Sequence, residues 1–443
     1  MTHWVEHAIW WQVYPLGFTG AEPSAPPPGA PVQHRLRQLD AWLDYALELG
    51  CSGLLLGPVF AAETHGYDTI DHFRIDPRLG DEGDFDRLVA EAEARGMRIV
   101  LDGVFNHVGR SFPAFQAAVA AGPDSPAARW FRRASAGSDG FATFEGHHQL
   151  VALDHEEPAV LDYVVEVMNF WLDRGAAGWR LDAAYAVSPR FWRRALPKVR
   201  AAYPDAWFLG EMIHGDYAAY AADSGLDSIT QYELWKSLWG SLNDRNFFEL
   251  AWTLDRHNSF LSGVALQTFA GNHDVTRLAS QLSDSRHIGH ALAVLFTVGG
   301  IPSVYYGDEQ GFRGIKEHRA GGDDEIRPAF PATPAALAPD GWPLYRLHQR
   351  LIGFRRRHPW LVSSRTTVQH LSNEAFAYRS GADGAEILVL LNVGDSAFRF
   401  PVDVGRLGVA VTPDPGAPGA SGVPVDDPAL VPPHSWVILA SSF

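Results

Sequence analysis

The sequence alternates short apolar runs with longer amphipathic segments, and this alternation repeats eight times. In the segment "RLRQLDAWLDYALELG", apolar residues recur at helical spacing and the pattern ends at Gly50, a residue typical of helix ends. A repeated order of strand, helix and strand predicts an α/β fold, a (β/α)₈ barrel of the TIM type. The runs that we interpret as barrel strands begin at Trp10, Gly53, Arg98, Gly178, Trp207, Ser228, Val264 and Ile301.

Two regions interrupt the alternation and predict two further units. Residues 108–150 follow the third run and are rich in Ala, Gly and Ser, which predicts an inserted subdomain beside the mouth of the barrel. Short alternating runs separated by Gly, Pro and Asp occupy residues 361–443 and predict a small antiparallel β domain, a β-sandwich. The catalytic barrel is then expected over residues 1–107 and 151–360.

Charge and cysteine content exclude several classes of function. The 443 residues carry a formal net charge of -16, which disfavours nucleic acid and anionic membranes as partners because both attract basic surfaces. The only cysteine is Cys51, so no internal disulfide can form, and its apolar surroundings predict a buried thiol rather than a nucleophile.

The beginning of the chain, "MTHWVEHAIWWQVYP", lacks the basic and then apolar pattern of a secretory signal. We also find no apolar run that is long enough to span a bilayer. The expected location is therefore the cytoplasm.

Charged residues stand at the ends of the predicted strands, where barrels of this type carry their chemistry. Arg180 and Asp182 are two positions apart in "GWRLD", so they should face the same side of a strand. Glu211 and Asp274 end two later strands. Retaining glycoside hydrolysis needs two carboxyl groups about 5–5.5 Å apart, one as nucleophile and one as acid/base. Arg180 is expected to keep Asp182 ionised, as a nucleophile requires.

The remaining polar residues suggest how a sugar would be held. Glu211 lies in "FLGEMIH", a less polar setting that would raise its pKa and suit a general acid. Asp274 is expected to bind sugar hydroxyls, His107 and His273 to add hydrogen bonds, and Tyr67 to stack on the sugar face. Taken singly, each of these signals is typical of a structural role, and only their joint occurrence at successive strand ends favours catalysis.

The motifs that carry this constellation resemble those of the alpha-amylase family, glycoside hydrolase family 13. The resemblance covers nearly the whole chain from Trp10. It implies Asp182 as the nucleophile, Glu211 as the acid/base and Asp274 as the stabiliser of the transition state. The motifs, as they stand here, are "HGYDTID", "DGVFNH", "GWRLD", "GE", "GNHD" and "GGIPSVYYGDE".

The resemblance also implies which residues surround the sugar unit at the bond that is cleaved. Asp323 and Arg327 in "GGDDEIRPAF" resemble the pair that holds the non-reducing side of that unit. The other residues expected around it are Arg180, His107, His273, Tyr67 and Asp102.

Within the family, long stretches are similar to the neopullulanase and cyclomaltodextrinase group. Members of that group commonly have an N-terminal β domain that helps to form a dimer, whereas the first strand here is expected near Trp10. A homodimer is a candidate for the assembly of this protein. "AAYAV" follows Asp182 in place of the Lys-His pair of many alpha-amylases, which removes a common calcium ligand. We expect no cofactor and no metal in the chemistry, with calcium binding left open.

The expected partner is an oligosaccharide. The leading hypothesis is hydrolysis of mainly α-1,4 bonds in short or cyclic gluco-oligosaccharides, such as cyclodextrins, cyclic maltosyl-maltose and maltodextrins. Aromatic residues in "FPAFQ" and "RWF" are expected to close one side of the cleft. The alternatives are a transglycosylase or isomerase, an α-1,6-glucosidase on the same scaffold, or a non-catalytic carbohydrate-binding barrel.

Overall fold

A computed structural model describes residues 4–122, 124–134, 140–319, 321–413 and 427–441. Eight parallel strands close into a barrel in which each strand pairs with the next and β8 pairs with β1, so the predicted (β/α)₈ barrel is confirmed. The strands are β1 (Trp10–Val13), β2 (Gly53–Leu56), β3 (Arg98–Gly103), β4 (Gly178–Leu181), β5 (Trp207–Gly210), β6 (Ser228–Thr230), β7 (Ala265–Phe269) and β8 (Ile301–Tyr305).

Amphipathic helices surround the barrel and cover the outer faces of its strands. Gly50 ends the first of them in the left-handed region at φ 102°, a conformation that favours glycine. The main helices are α1 (Asp40–Leu49), α2 (Glu82–Glu93), α3 (Pro158–Asp173), α4 (Pro189–Arg200), α5 (Tyr217–Ser224), α6 (Tyr232–Asn243), α7 (Phe248–Phe260), α8 (Ile288–Thr297) and α9 (Trp342–Arg357). Three further helices span Pro15–Phe18, Pro113–Ala121 and Leu278–Gln281.

Large apolar side chains fill the barrel where its strands begin. The indole rings of Trp10 and Trp207 stack with centroids 5.5 Å apart, and Leu55, Val100 and Ile301 pack in the same buried cluster. Because this end of the barrel is filled, the polar side chains at the other end of the strands lie over a packed floor.

The inserted segment is tied to the barrel by a short ribbon in which His107–Val108 pairs with Val151–Ala152. The prediction that aromatic residues of "FPAFQ" and "RWF" close one side of the cleft is wrong. Phe112, Phe115 and Phe131 of "FPAFQ" and "RWF" are buried, at most 4% exposed. Phe115 and Phe131 pack on each other with ring centroids 5.1 Å apart, inside the segment. Phe112 and the partly buried Trp130 pack instead on Tyr163 of helix α3.

The C-terminal unit is an antiparallel sheet of the strands β9 (Arg365–Leu371), β10 (Ala375–Ala382), β11 (Ala385–Asn392), β12 (Leu407–Val411) and β13 (Ser435–Ser441). The strand order in the sheet is β9-β10-β11-β13-β12. Within the described residues the unit consists of this one sheet and a two-stranded ribbon (Phe398–Arg399 with Leu430–Val431), rather than two full sheets of a sandwich. The limits assigned above to the three units stay predictions.

Two smaller expectations concern burial and membranes. Cys51 is 1% exposed, and burial raises the pKa of its thiol well above its ordinary value, as expected of an inert cysteine. Among the helices of the described ranges, none has the length and apolar content needed to cross a membrane.

Candidate active site

A cavity of about 370 Å³ opens where the barrel strands end. The three carboxylates predicted to act in catalysis all line it: Asp182 directly after β4, Glu211 directly after β5 and Asp274 in the loop after β7. Parallel strands bring these positions together because their carboxyl ends meet at one rim of the barrel. Other predicted site residues in the cavity wall are Tyr67, His107, Asp323 and Arg327.

Arg180 joins the carboxylates from below the cavity. Its guanidinium Nη1 donates to both oxygens of Asp102, at 2.8 and 2.7 Å, and lies 3.3 Å from Asp182 Oδ1. Its Nη2 lies 2.7 Å from Glu211 Oε1 and 3.9 Å from Asp274 Oδ2. One buried guanidinium therefore contacts four carboxylates. The expected pair of Arg180 and Asp182 is present, but its 3.3 Å distance is longer than the distances from Arg180 to Asp102 and to Glu211.

The sequence suggested that Arg180 keeps Asp182 ionised. In the structure, Arg180 alone does not hold the pKa of Asp182 in the range of an ordinary aspartate. Burial raises the pKa of Asp182 well above its ordinary value, and the Glu211 carboxylate adds to the effect, while Arg180 opposes both. A neighbouring carboxylate disfavours the charged form of a buried carboxyl group, which is why Glu211 acts in the same direction as burial. Asp182 and Glu211 follow different strands and have different hydrogen-bond partners, so the two carboxyl groups lie in unlike settings, as the different roles of nucleophile and general acid require.

The setting of Glu211 is more polar than its sequence neighbours suggest. Besides Arg180, its Oε1 accepts a hydrogen bond from the Tyr232 hydroxyl at 3.3 Å, and its Oε2 accepts one from the backbone N–H of Ala183 at 2.8 Å. Ala183 adopts φ 46°, in the left-handed region that a non-glycine residue enters at a cost. This backbone conformation aims the N–H at Glu211 and fixes the carboxyl group relative to the end of β4.

A hydrogen-bond chain that the sequence did not predict links Glu211 to the loop of Asp274. Asn272 donates to the Tyr232 hydroxyl at 2.9 Å, and the side-chain oxygen of Asn272 accepts from the backbone N–H of Asp274 at 2.9 Å. Asn272 belongs to the "GNHD" motif, whereas Tyr232 begins helix α6 and stands in no quoted motif. The chain connects the two sides of the cavity.

Asp274 is held from two directions, by Arg327 and by His273. Arg327 Nη2 donates to Asp274 Oδ1 at 2.9 Å and also pairs with Asp323 at 2.9 Å, while His273 Nε2 lies 3.0 Å from Asp274 Oδ2. Burial acts to raise the pKa of Asp274, but His273, Arg327 and Arg180 outweigh it and hold the pKa well below its ordinary value. Asp274 is therefore a carboxylate, the form that attracts a developing positive charge.

Tyr67 and His107 line one side of the cavity, and the buried His273 packs on Tyr67. The rings of Tyr67 and His273 stack with centroids 5.6 Å apart, and the Tyr67 hydroxyl contacts His273 Nε2 and donates to Asp102 at 3.2 Å. His107 donates from Nε2 to the Tyr67 carbonyl and accepts from Asn106 at Nδ1. Burial lowers the pKa of His107 to about 3, so its ring is neutral. Contacts of these rings with a sugar stay predictions.

The inserted segment contributes a wall through residues that the sequence did not single out. Phe144 stacks on His107 with centroids 4.7 Å apart, and Glu145 Oε1 accepts a hydrogen bond from the Tyr185 hydroxyl at 2.9 Å. His147 and Leu150 continue the same side of the cavity. No periodic signal marks these positions, because they lie in irregular backbone in which Glu145 itself adopts φ 48°.

Comparison with known proteins agrees with this geometry. The sequence profile of the alpha amylase catalytic domain matches residues 12–376, which is most of the chain. The chain belongs to the alpha-amylase family. Membership of this family makes it an α-glucan-acting glycoside hydrolase and gives the strand-end carboxylates their context.

Two curated members of the alpha-amylase family span nearly the same residues. A maltogenic alpha-amylase from Bacillus acidopullulyticus is 28% identical over 429 residues, 90% of this chain and 71% of that protein. A cyclomaltodextrinase from Bacillus sp is 30% identical over 425 residues, 88% of this chain and 73% of that protein.

Among solved structures of the family, the chain resembles the cyclic alpha-maltosyl-(1→6)-maltose hydrolase from Arthrobacter globiformis in complex with cyclic alpha-maltosyl-(1→6)-maltose. The TM-score is 0.81 at 25% identity, and the alignment covers 99% of both chains. Similarity over both whole chains extends the likeness from the barrel to the inserted segment and the C-terminal sheet.

Proposed function

We propose that the protein is a retaining hydrolase of α-glucosidic, mainly α-1,4, bonds in short or cyclic gluco-oligosaccharides. The single observation that carries the proposal is the contact of one guanidinium, that of Arg180, with both Asp182 and Glu211 in the cavity at the barrel mouth. Two carboxyl groups held on one rigid cation at the ends of adjacent strands form a pair suited to double displacement.

In the proposed mechanism, Asp182 attacks the anomeric carbon while Glu211 gives its proton to the departing glycosidic oxygen. A covalent bond between Asp182 and the sugar forms as the glycosidic bond breaks. Glu211, now ionised, takes a proton from water, and the water oxygen displaces Asp182. Asp274, kept ionised by Arg327 and His273, stabilises the positive charge that develops on the sugar ring in both steps.

The walls of the cavity favour a compact substrate. The hydrogen bond from Tyr185 to Glu145 joins the loop after β4 to the inserted segment, and Phe144 covers the His107 ring beside it. On the other side, Lys316 Nζ lies 3.6 Å from Asp323 Oδ1. Boundaries on both sides restrict a long polymer more than a short chain or a ring. The names of the relatives, cyclomaltodextrinase and cyclic alpha-maltosyl-(1→6)-maltose hydrolase, point to the same class of substrate.

Transglycosylation and α-1,6 cleavage are the other reactions that the same covalent intermediate allows, because only the attacking hydroxyl or the linkage changes.

We propose the cytoplasm as the site of action. A relative named intracellular maltogenic amylase from Bacillus subtilis, 30% identical over 335 residues, supports this location.

The proposal predicts a rank order of substrates. Values of kcat/KM measured on soluble starch, maltotetraose, panose and cyclic oligosaccharides should be highest for a short or cyclic substrate, with analysis of the products separating hydrolysis from sugar transfer. A preference for starch of more than about tenfold, equivalent to about 1.4 kcal/mol in barrier height, contradicts the argument from the cavity walls.

A further inference from the structure

Outside the active site, metal-ligating side chains meet at the junction of the barrel and the C-terminal sheet. Asp284 and His287 belong to the short turn before helix α8, and His434 lies in the turn that leads into β13. One donor atom from each of the three side chains lies within 4.8 Å of the other two. Both histidines are buried, whereas the Asp284 side chain is partly exposed and open to ions from solution.

The two imidazole rings face each other through the atoms that would bind a metal. His287 Nε2 and His434 Nδ1 are 3.1 Å apart, with one proton between them. In a tetrahedral zinc site with Zn–N distances of about 2.0–2.1 Å, two ligand nitrogens lie roughly 3.3 Å apart. The rings therefore stand close to the required spacing.

The second nitrogen of His434 has the partner that metal-binding histidines usually have. His434 Nε2 donates to Asp395 Oδ1 at 2.8 Å, and Arg245 holds Asp395 through Oδ2 at 2.9 Å. Such a carboxylate behind a histidine fixes the tautomer and directs the lone pair of the other nitrogen toward the metal. Here it directs the Nδ1 lone pair of His434 toward His287.

The backbone at His434 is strained in a way that presents this ring. His434 adopts φ 48°, in the left-handed region that a residue with a side chain enters at a cost. Strained backbone of this kind clusters at active sites, ligand clamps and switch regions.

Asp284 completes the set. Its side chain accepts from the backbone N–H of Arg286 at 2.9 Å, and it stands three residues before His287, so both project from the same turn. The Arg286 side chain also donates to both Asp284 oxygens, at 2.6 to 3.0 Å. A carboxylate offers about four lone-pair positions, and the Arg286 side chain is 43% exposed, so Asp284 can accept a cation while the arginine adjusts.

A second group, formed by His34, Asp81 and Asp84, has one histidine in place of two, and the His34 side chain is 44% exposed. Asp81 and Asp84 form the capping box of helix α2, in which each side chain accepts the backbone N–H of the other residue. This group provides a matched control.

We propose that Asp284, His287 and His434 bind one zinc-like divalent transition-metal ion that joins the barrel to the C-terminal sheet, with water as the fourth ligand. On binding, the His287 ring changes tautomer, so that its proton moves from Nε2 to Nδ1, and His287 Nε2 and His434 Nδ1 then each give a lone pair to the metal. The site is independent of the proposed hydrolytic activity.

The test uses the full, untagged protein after treatment with a chelator, titrated with Zn²⁺ against a chromophoric competitor. The wild type should bind one equivalent with a Kd below about 1 µM, and its Tm should rise with Zn²⁺ concentration. Asp284→Asn keeps the turn and should weaken binding at least about tenfold. Asp395→Asn, a change on an exposed side chain behind His434, should weaken it about tenfold as well.

His434→Asn, a residue that tolerates a positive φ, should remove saturable binding, and His34→Ala should leave it unchanged. Absence of saturable one-equivalent binding in the wild type overturns the proposal. Equal Zn²⁺ affinity of Asp284→Asn and the wild type also overturns it, and that comparison holds even if the buried histidine variant does not fold.

Discussion

At the scale of single residues, Arg180 explains how four carboxylates can share one small cavity. A buried carboxylate without a cation is costly, and the Arg180 guanidinium contacts Asp102, Asp182 and Glu211 at 3.3 Å or less. The single positive charge of Arg180 offsets part of the negative charge of these three carboxylates, and it contacts the proposed nucleophile and the proposed acid at once. The motif "GWRLD" thus places the cation and the proposed nucleophile on one strand end.

Replacement of the acid/base should separate substrates by leaving group. Glu211→Gln should lower turnover of natural oligosaccharides by about 10²- to 10⁴-fold, because their leaving oxygen needs a proton. The first-step rate on a maltosyl fluoride, whose leaving group needs no proton, should fall much less. Stopped-flow and steady-state kinetics on both substrates check this. Equal losses on the two substrates would identify Glu211 as a structural residue.

The left-handed backbone at Ala183 makes a second prediction at this scale. Ala183→Gly should leave the free energy of unfolding unchanged or raise it by up to about 1 kcal/mol, since glycine adopts φ 46° freely. Ala183→Val should lower it by more than about 1 kcal/mol and also reduce kcat, because the N–H that Glu211 accepts would shift. Chemical denaturation and kinetics of the pair measure both effects; a valine variant as stable and active as the wild type is the contrary result.

At the scale of elements, sequence periodicity located the strands and therefore the residues at their ends. Asp182 and Glu211 could be predicted because they follow short apolar runs. Tyr232 and Glu145 could not, since the first looks like an ordinary helix residue and the second lies in irregular backbone. Aromatic residues were assigned to the wrong role because composition does not distinguish the core of a small inserted unit from a cavity wall; Phe115 is an example.

The loop after β8 carries a buried carboxylate that should affect stability. Burial raises the pKa of Glu309 to about 7 from an ordinary 4.5, with Oε1 accepting from Tyr45 at 2.9 Å and Oε2 from the backbone of Gly307 at 2.9 Å. The folded state keeps this proton while the unfolded state loses it near pH 4.5. The free energy of unfolding should therefore fall as pH rises from about 4.5 to about 7, by about 3 kcal/mol.

Glu309→Gln cannot ionise and should lose that part of the pH dependence. Denaturant unfolding of the wild type and the variant at pH 5 and pH 8 measures it, and the difference between them isolates Glu309 from its neighbour Asp308. If both proteins lose the same free energy between the two pH values, Glu309 is already ionised in the folded state.

At the scale of the whole molecule, the fold was predictable to the level of the barrel and its two additions. Eight repeats of one pattern leave few alternatives, whereas the C-terminal unit is built from short strands with weak signals. Strand β12 (Leu407–Val411) is an example: only Val411 of its five residues is buried, so burial imposes little pattern on its sequence. The cluster of metal-ligating side chains at the junction of the barrel and the sheet could not be predicted either, since Asp284 and His434 are distant in sequence and meet only through the fold.

The stereochemistry of the first product tests the central claim most directly, because it reports the number of displacements at the anomeric carbon. Two displacements through Asp182 return the α configuration. Proton NMR of a fresh reaction on maltotetraose, recorded before mutarotation, should show the α anomer of the new reducing end first, and Asp182→Asn should fold but give almost no product. Initial appearance of the β anomer would contradict a covalent intermediate on Asp182.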